Sequence, residues 1–170
     1  QGENMRTGYV SDELMVIYHT PHESDTEPER NFRDIFAQTK YVLFYVIKGT
    51  ARAQNGTYIC DVGKNQLMIV DTHMAFGYRF PNQNDYKCLY IEMHPGLFTN
   101  QADDNNFMRA FEHIKPYDSV IDCDTQETEF IKHIMNSIVE CNLLQLGKSH
   151  IMPRINSVIS QLCIYYDKKY

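Results

Sequence analysis

A single histidine, His73, stands in a predicted turn between two apolar segments, in the sequence LMIVDTHMAFGYRF at residues 67–80. An imidazole in such a turn binds Zn, Fe or Mn when further histidine or carboxylate ligands lie close to it. His19 and His22 form a second candidate pair in YHTPHESD, where two carboxylates follow them. The spacing of this pair is loose for a metal motif, and its polar surroundings are typical of a solvated loop. Neither position predicts a metal site by itself, so the elements that position these residues decide the question.

The composition is that of an acidic globular protein. The 170 residues suit one domain, or one domain with an appended element, and a hydrophobic share of 43% is ordinary for a packed core. A net charge of −6 argues against direct contact with nucleic-acid phosphates. The five cysteines are odd in number and widely spaced, which predicts reduced, mostly buried thiols and a cytoplasmic location. The sequence shows no apolar run of membrane length, so we expect no membrane partner.

Short strand signals separated by tight turns fill the first half of the chain. Residues 41–47 are apolar at every position, as in a strand that is buried on both faces. Asn55 and Gly56 predict a two-residue hairpin, because both tolerate the positive φ angles of a type I′ turn. A strand rich in tyrosine at residues 86–93 closes the series. Strands and turns at this spacing predict an antiparallel barrel or sandwich.

Helical periodicity replaces the strands from about residue 97. Residues 105–114 predict a short helix, and Thr125 is the expected N-cap of a long helix that ends at Gly147. Ser149 is the expected cap of a second long helix. Each of the two long helices is predicted to carry a stripe of apolar residues along one face. These stripes either pack onto the barrel or form a subunit interface. We expect the second helix at the interface, because its stripe runs nearly its full length. That predicted interface consists of Ile151, Ile155, Val158, Ile159 and Leu162.

Residues 41–95 read YVLFYVIKGTARAQNGTYICDVGKNQLMIVDTHMAFGYRFPNQNDYKCLYIEMHP. An apolar strand ends at Gly49, a hairpin follows, and the last strand is rich in aromatic residues. This order and spacing resemble the amino-terminal cupin domain of AraC-family transcription regulators. The resemblance covers residues 30–170 as a pattern of elements.

The resemblance implies a mainly β protein with α-helices: a cupin-type double-stranded β-helix (jelly-roll barrel) followed by a C-terminal α-helical hairpin. Residues 1–97 would form the effector-binding barrel with an N-terminal arm, and residues 98–170 the helical linker and dimerisation region. In the family the arm closes over the cavity, which places residues 5–18 there. The resemblance also implies a homodimer that contacts DNA only through a helix-turn-helix half, which we expect beyond Tyr170.

The metal motifs of enzymatic cupins are lost from this chain. When the first motif is aligned on Gly49, and the second on the turn before the aromatic strand, His73 falls in the turn and not at a ligand position. Phe and Val side chains have no lone pair to donate to a metal. We therefore expect no metal, no cofactor and no enzymatic activity. The four ligand positions hold Phe36 and Gln38 (or Ile35 and Ala37), Val42 and Phe76.

The candidate ligand site is the interior of the barrel. Alternate residues of a strand share one face, so Tyr86, Cys88, Tyr90 and Glu92 point to the same side of the closing strand. The resemblance carries the family's ligand contacts to this strand, to the aromatic strand after the turn and to an arginine before the first long strand. Tyrosine, arginine and glutamate suit the recognition of hydroxyl groups, so we expect a sugar or polyol effector. The candidate residues are Arg33, His73, Tyr78, Cys88, Tyr90 and Glu92, with His73 a minor candidate.

Two other functions stay open. The first is a small metal-independent cupin enzyme, of the sugar isomerase or epimerase type, with His73 or Tyr78 as acid or base. The second is a dimerisation module whose barrel is filled by its own side chains. The effector-sensing function acts by a shift in conformational populations, in which the bound molecule biases how linked DNA-binding domains are presented.

Overall fold

The computed structural model describes residues 6–21, 39–101 and 106–169. This part of the chain is mainly β with α-helices, as predicted. None of its helices is both long and apolar enough to cross a membrane. Its strands are β1 Arg6–Val10, β2 Leu14–His19, β3 Tyr41–Lys48, β4 Ala51–Asn55, β5 Tyr58–Val62, β6 Gln66–Val70, β7 Phe76–Arg79, β8 Lys87–Met93 and β9 Val120–Asp122. Its helices are α1 Arg109–His113, α2 Glu129–Leu143 and α3 Lys148–Lys169, with 3₁₀ helices at Pro95–Gln101 and Pro116–Asp118.

Two sheets with antiparallel pairing face each other. The larger has the strand order β1-β2-β8-β3-β6-β9, and the smaller has the order β5-β4-β7. Side chains from both sheets meet in one hydrophobic cluster, called the inter-sheet core below. It contains Val42, Phe44, Val46, Met68, Val70 and Cys88 from the larger sheet, and Ala51, Ala53 and Val62 from the smaller.

Strand β3 is apolar from Tyr41 to Ile47 because it lies in the middle of the larger sheet, between β8 and β6. Val42 and Phe44 point into the inter-sheet core. Leu43 and Tyr45 point the other way, into a second cluster between the sheet and the helices, called the helix-side core below. All four side chains are fully buried. The prediction of a strand that is buried on both faces is confirmed.

The hairpin at Asn55 and Gly56 is confirmed, but its turn lies one residue later than predicted. Asn55 still belongs to β4 and pairs with Tyr58, so the loop residues are Gly56 and Thr57. Gly56 has the positive φ, 66°, that the turn requires. The buried Asn55 amide donates to the Ser119 hydroxyl, 3.0 Å away, and to the carbonyl of Ile69, at 3.3 Å. Its side chain therefore links the smaller sheet to the larger one.

The helical region after residue 97 also contributes a strand that the sequence patterns missed. Strand β9 pairs with β6 in antiparallel register, from Gln66 with Asp122 to Met68 with Val120. Three residues are too few to show an alternation of polar and apolar side chains. Because of this pairing, residues 120–122 extend the larger sheet.

The two long helices begin close to their predicted positions. Helix α2 begins at Glu129, after Thr128 and not after Thr125, and the two threonine hydroxyls lie 2.6 Å apart. Thr128 also donates from its hydroxyl to the carbonyl of Asp122, at 2.7 Å, which fixes the start of α2 against the end of β9. Helix α3 begins at Lys148, so Ser149 is its second residue.

The apolar stripe of α3 is covered within a single chain. All five of its predicted interface residues are 0% exposed within a single chain. They pack in the helix-side core against α2 and the larger sheet. An amphipathic stripe reports that one helix face is buried, but not which surface covers it. The correction concerns Ile151, Ile155, Val158, Ile159 and Leu162.

The N-terminal segment forms part of the larger sheet. Strands β1 and β2 make an antiparallel hairpin, and β2 pairs with β8 along its whole length, from Leu14 with Met93 to His19 with Cys88. Residues 6–19 therefore supply an edge of the sheet and not a lid over a cavity. The predicted role of this segment as an arm that closes over the barrel is wrong for these residues.

Candidate ligand site between the two sheets

The alternation predicted for the closing strand β8 is confirmed. Tyr86, just before the strand, and Cys88 lie in the inter-sheet core, and Tyr90 packs against it. Leu89, Ile91 and Met93 point into the helix-side core. The period of two that governs strand side chains is a local property, which is why the sequence alone could assign these faces.

Six aromatic side chains line the inter-sheet space. Three near-parallel pairs form among them, each with one ring from the aromatic segment at residues 76–80. The ring centroids are 4.5 Å apart for Phe44 and Tyr78, 5.9 Å for Phe76 and Tyr90, and 4.2 Å for Phe80 and Tyr86. Offset stacks of this kind hold aromatic rings in fixed orientations.

Burial divides these six rings into two groups. Phe44, Phe80 and Tyr86 are at most 5% exposed, so they form the floor of the space. Phe76, Tyr78 and Tyr90 are only half-buried, although they point inward from their strands. The three rings therefore present an accessible aromatic wall.

His19 joins two tyrosines at one end of this wall. Its Nδ1 lies 3.3 Å from the hydroxyl of Tyr78, and its Nε2 lies 3.1 Å from the hydroxyl of Tyr86. The imidazole also makes an edge-to-face contact with the Tyr86 ring, at 5.2 Å between centroids. His19 is only 8% exposed, because its strand position is in register with Cys88 on β8. The sequence placed it in a solvated loop, and this is wrong.

A charged pair stands at the other end of the wall. The Tyr90 hydroxyl donates a hydrogen bond to Oε2 of Glu92, and Nζ of Lys40 lies 3.5 Å from Oε1 of the same carboxylate. Burial and the bond to Glu92 raise the pKa of the Tyr90 hydroxyl above its usual range. The tyrosine therefore stays protonated at neutral pH and acts as a donor.

Of the other predicted ligand residues, one is buried in the core, one is exposed in a turn and one lies outside the described residues. Cys88 is fully buried in the inter-sheet core, in the same cluster as the buried aromatic rings. His73 is exposed in the turn before β7, with a positive φ of 67° that a turn residue adopts. Arg33 lies outside the described residues. The structure thus brings the rings of Tyr78 and Tyr90 to 6.3 Å between centroids, with Glu92 bonded to the Tyr90 hydroxyl, and it leaves His73 at the surface.

Several contributors to this site were missing from the ligand residues predicted from the sequence. Phe44 was recognisable as apolar, but only the register of β3 with β8, which pairs it with Tyr90, places it under the aromatic wall. His19 and Lys40 stand at the ends of segments whose polarity is typical of loops. Strand alternation in β2 would have placed His19 on a face opposite to Tyr18, but no local signal shows which face is covered.

Two of the four cupin metal positions, at residues 35–38, lie outside the described residues, and the other two do not fit a metal ion. Val42 is fully buried among apolar side chains, and Phe76 is stacked on Tyr90. Both ring nitrogens of His19 lie within hydrogen-bond distance of tyrosine hydroxyls. In the described parts of the chain, no group of three or more His, Cys, Asp or Glu side chains is arranged to hold a metal. His22, the other half of the predicted histidine pair, lies outside those parts.

Two solved structures of cupin proteins show a low similarity to this chain. An RmlC-like cupin from Shewanella frigidimarina gives a TM-score of 0.36 at 15% identity, over 49% of this chain and 68% of that one. A mutant of Bacillus subtilis oxalate decarboxylase gives a TM-score of 0.35 at 16% identity, over 49% of this chain and 22% of that one. Scores this low carry no argument about the present site. No protein-family model matches the sequence, and no curated protein matches it either.

The crystal structure of the AraC-like transcriptional activator CuxR is more similar, with a TM-score of 0.57 and 10% sequence identity. The likeness covers 92% of this chain and 53% of that one, so this chain spans about half the length of the activator. Because the match extends over nearly the whole chain, it includes the helices as well as the sheets. This chain therefore has the fold of the corresponding part of an AraC-like regulator.

Proposed function

We propose that this chain is the effector-sensing and dimerisation domain of an AraC-type transcription regulator, and that a small molecule binds between its two sheets. One observation carries the proposal: Phe76, Tyr78 and Tyr90 point inward and yet remain half-buried. Rings that only filled a core would be buried like Phe44 below them, which is 0% exposed. An accessible aromatic wall with polar groups at both ends is typical of a small-ligand site.

The chemistry of the wall favours a sugar or another polyol. The apolar face of a sugar ring packs on aromatic faces such as those of Phe76 and Tyr90. Glu92 and the Tyr78 hydroxyl supply an acceptor and a donor–acceptor group at the ends of the wall for ligand hydroxyls. Glu92 is held in place by Tyr90 and Lys40, so its carboxylate is oriented before a ligand arrives.

Dimerisation belongs to the proposal, but it needs a surface other than the buried stripe of α3. Apolar side chains are exposed at both ends of α2, at Phe130, Leu143 and Leu144, with 55%, 56% and 70% of each residue accessible. An effector bound between the sheets and a partner bound on α2 would be linked through the helix-side core, which α2 shares with β3 and β8.

The enzymatic alternative is less well supported by the geometry. Among the tyrosines of the wall, Tyr90 has a hydroxyl whose pKa is raised by burial and by its bond to Glu92, and a raised pKa does not suit a general base. His73, the other candidate base, is exposed in a turn. A turnover assay with sugar nucleotides and keto acids tests this alternative, and measurable turnover that is lost in Tyr78→Phe would favour it over our proposal.

The proposal is tested by a thermal-shift screen against pentoses, hexoses, deoxysugars and cyclic polyols. We expect at least one compound to raise the midpoint of unfolding in proportion to the logarithm of its concentration. The variant Phe76→Ala should lose that response, and Tyr117→Ala, which removes a 65% exposed tyrosine that does not belong to the inter-sheet core, should keep it. A screen with no response to any compound would favour a dimerisation module with a filled core.

A further inference from the structure

A pocket on the protein surface borders the helix-side core. It is a pocket of about 530 Å³ between α1, the 3₁₀ helix Pro116–Asp118 and the last turns of α3. This volume is within the range of small-molecule sites. The pocket shares no residue with the inter-sheet space, so a ligand here would be independent of the proposed effector.

The floor of the pocket is apolar and rigidly held. Ala110, Cys163 and Tyr166 are at most 6% exposed, and Ile114 extends the floor toward the rim. The Tyr166 hydroxyl donates to the carbonyl of Asp118, 3.0 Å away, which fastens α3 to the 3₁₀ helix. Tyr117 stands at the rim with 65% of its surface exposed, so its ring can cover a bound molecule.

The two carboxylates at the rim of the pocket lie close to cationic side chains, whereas one lysine there has no carboxylate close to it among the described residues. Asp167 is held by the guanidinium of Arg109, at 2.8 Å, and this bond lowers the pKa of the Asp167 carboxyl below its usual range. Asp118 lies 3.9 Å from Nζ of Lys169. Both carboxylates of the pocket therefore face a cation already. Lys115, an exposed lining residue, is within salt-bridge distance of no carboxylate among the described residues.

We infer that this pocket is a second small-molecule site, and that it takes an amphipathic carboxylate with an aromatic body. The body would lie on the apolar floor beneath Tyr117, and the carboxylate would reach the Lys115 ammonium at the rim. A cationic ligand would be repelled by Lys115 and would find both carboxylates engaged. A ligand without charge would gain only the contact with the floor.

Three probes of the same shape separate these possibilities: 2-naphthoate, 2-naphthalenemethanol and 2-naphthylmethylammonium. Isothermal titration calorimetry on the whole chain should show one site for 2-naphthoate. The alcohol should bind about tenfold more weakly, and the ammonium should not bind measurably. Equal affinity for all three probes, or no binding of the carboxylate, would overturn the inference.

Matched variants locate the site. Lys115→Met removes the charge from an exposed side chain and keeps its length, and it should raise the Kd of 2-naphthoate about tenfold without changing that of the alcohol. Lys87→Met, an exposed lysine on β8, should leave both unchanged. Tyr117→Ala should weaken both probes. If Tyr78→Phe abolishes naphthoate binding, or Lys115→Met has no effect on it, the molecule binds elsewhere and the inference is wrong.

Discussion

Nδ1 of His19 lies 3.3 Å from the hydroxyl oxygen of Tyr78, although 59 positions separate the two residues in the chain. The contact joins β2 of the larger sheet to β7 of the smaller one. It orients the tyrosine hydroxyl at one end of the accessible aromatic wall. The ligand site and the stability of the sheet pair therefore depend on the same side chains.

The first prediction concerns this contact. His19→Ala should lower the free energy of unfolding by about 2 kcal/mol, because it removes buried volume and hydrogen bonds together. In a double-mutant cycle with Tyr78→Phe, the coupling energy should be about 1 kcal/mol. Urea denaturation measures both quantities. The pair His19→Ala and Tyr117→Phe serves as the control, and its changes in the free energy of unfolding should add. If the changes for His19→Ala and Tyr78→Phe also add, the contact contributes nothing to stability.

The second prediction concerns the stripe of α3. Ile155→Ala should lower the free energy of unfolding by about 3 kcal/mol, because Ile155 is fully buried in the helix-side core. Ile164→Ala on the same helix should cost about 0.5 kcal/mol or less, because Ile164 is 47% exposed. If Ile155→Ala does not fold, Ile155→Val should cost about 1 kcal/mol.

Light scattering at matched concentrations completes this test. The mass of the folded species should be the same for the wild type and for Ile155→Val, since the side chain lies inside one protomer. A variant that keeps its stability but changes its state of association would restore α3 as the dimer interface.

The third prediction concerns the cysteines. All five are free thiols, and four are buried. Burial raises the pKa of Cys60, the half-buried thiol, and raises the pKa of Cys123 to about 12. Only thiolates react with Ellman's reagent at an appreciable rate. At pH 8 the folded protein should react slowly and at Cys60 only. The urea-unfolded chain should release five equivalents of thionitrobenzoate, one for each cysteine. Rapid reaction of two or more thiols in the folded state would contradict the packing of the two cores.

The fourth prediction concerns Asp71. Burial raises the pKa of this carboxyl, against the opposing effect of the Thr72 amide, which donates to Oδ1 at 2.7 Å. The folded state therefore binds the proton more tightly than the unfolded chain, and ionisation above the folded pKa costs stability. Asp71→Asn keeps an oxygen acceptor for Thr72 and removes that cost.

Thermal unfolding at several pH values measures the effect. Asp71→Asn should be more stable than the wild type at pH 7. The difference should shrink as the pH falls through the raised folded pKa, and it should vanish below about 4, the unfolded pKa of aspartate. Asp12→Asn, at an exposed position, should show no such trend. A variant that is less stable than the wild type at pH 7 would show that the carboxylate is favourably solvated or paired.

The success of the sequence-based predictions depended on how local each signal was. That Tyr90 and Cys88 share one face of β8 follows from strand alternation, which needs no partner. The burial of His19 follows from its register with Cys88, and such a pairing between distant segments leaves no mark on the local sequence. For the same reason the stripe of α3 predicted a buried face correctly and its covering surface wrongly. Strand β9 was missed because three residues carry no periodicity.

The central claim is that the accessible aromatic wall binds a small polyhydroxylated effector. Isothermal titration calorimetry with the compound that gives the largest thermal shift tests it most directly. We predict one site per chain, a Kd raised at least about tenfold by Phe76→Ala and about tenfold by Tyr78→Phe, and no change for Tyr117→Ala. Binding that is insensitive to Phe76→Ala and Tyr78→Phe, or the absence of binding by any sugar or polyol, would contradict the claim.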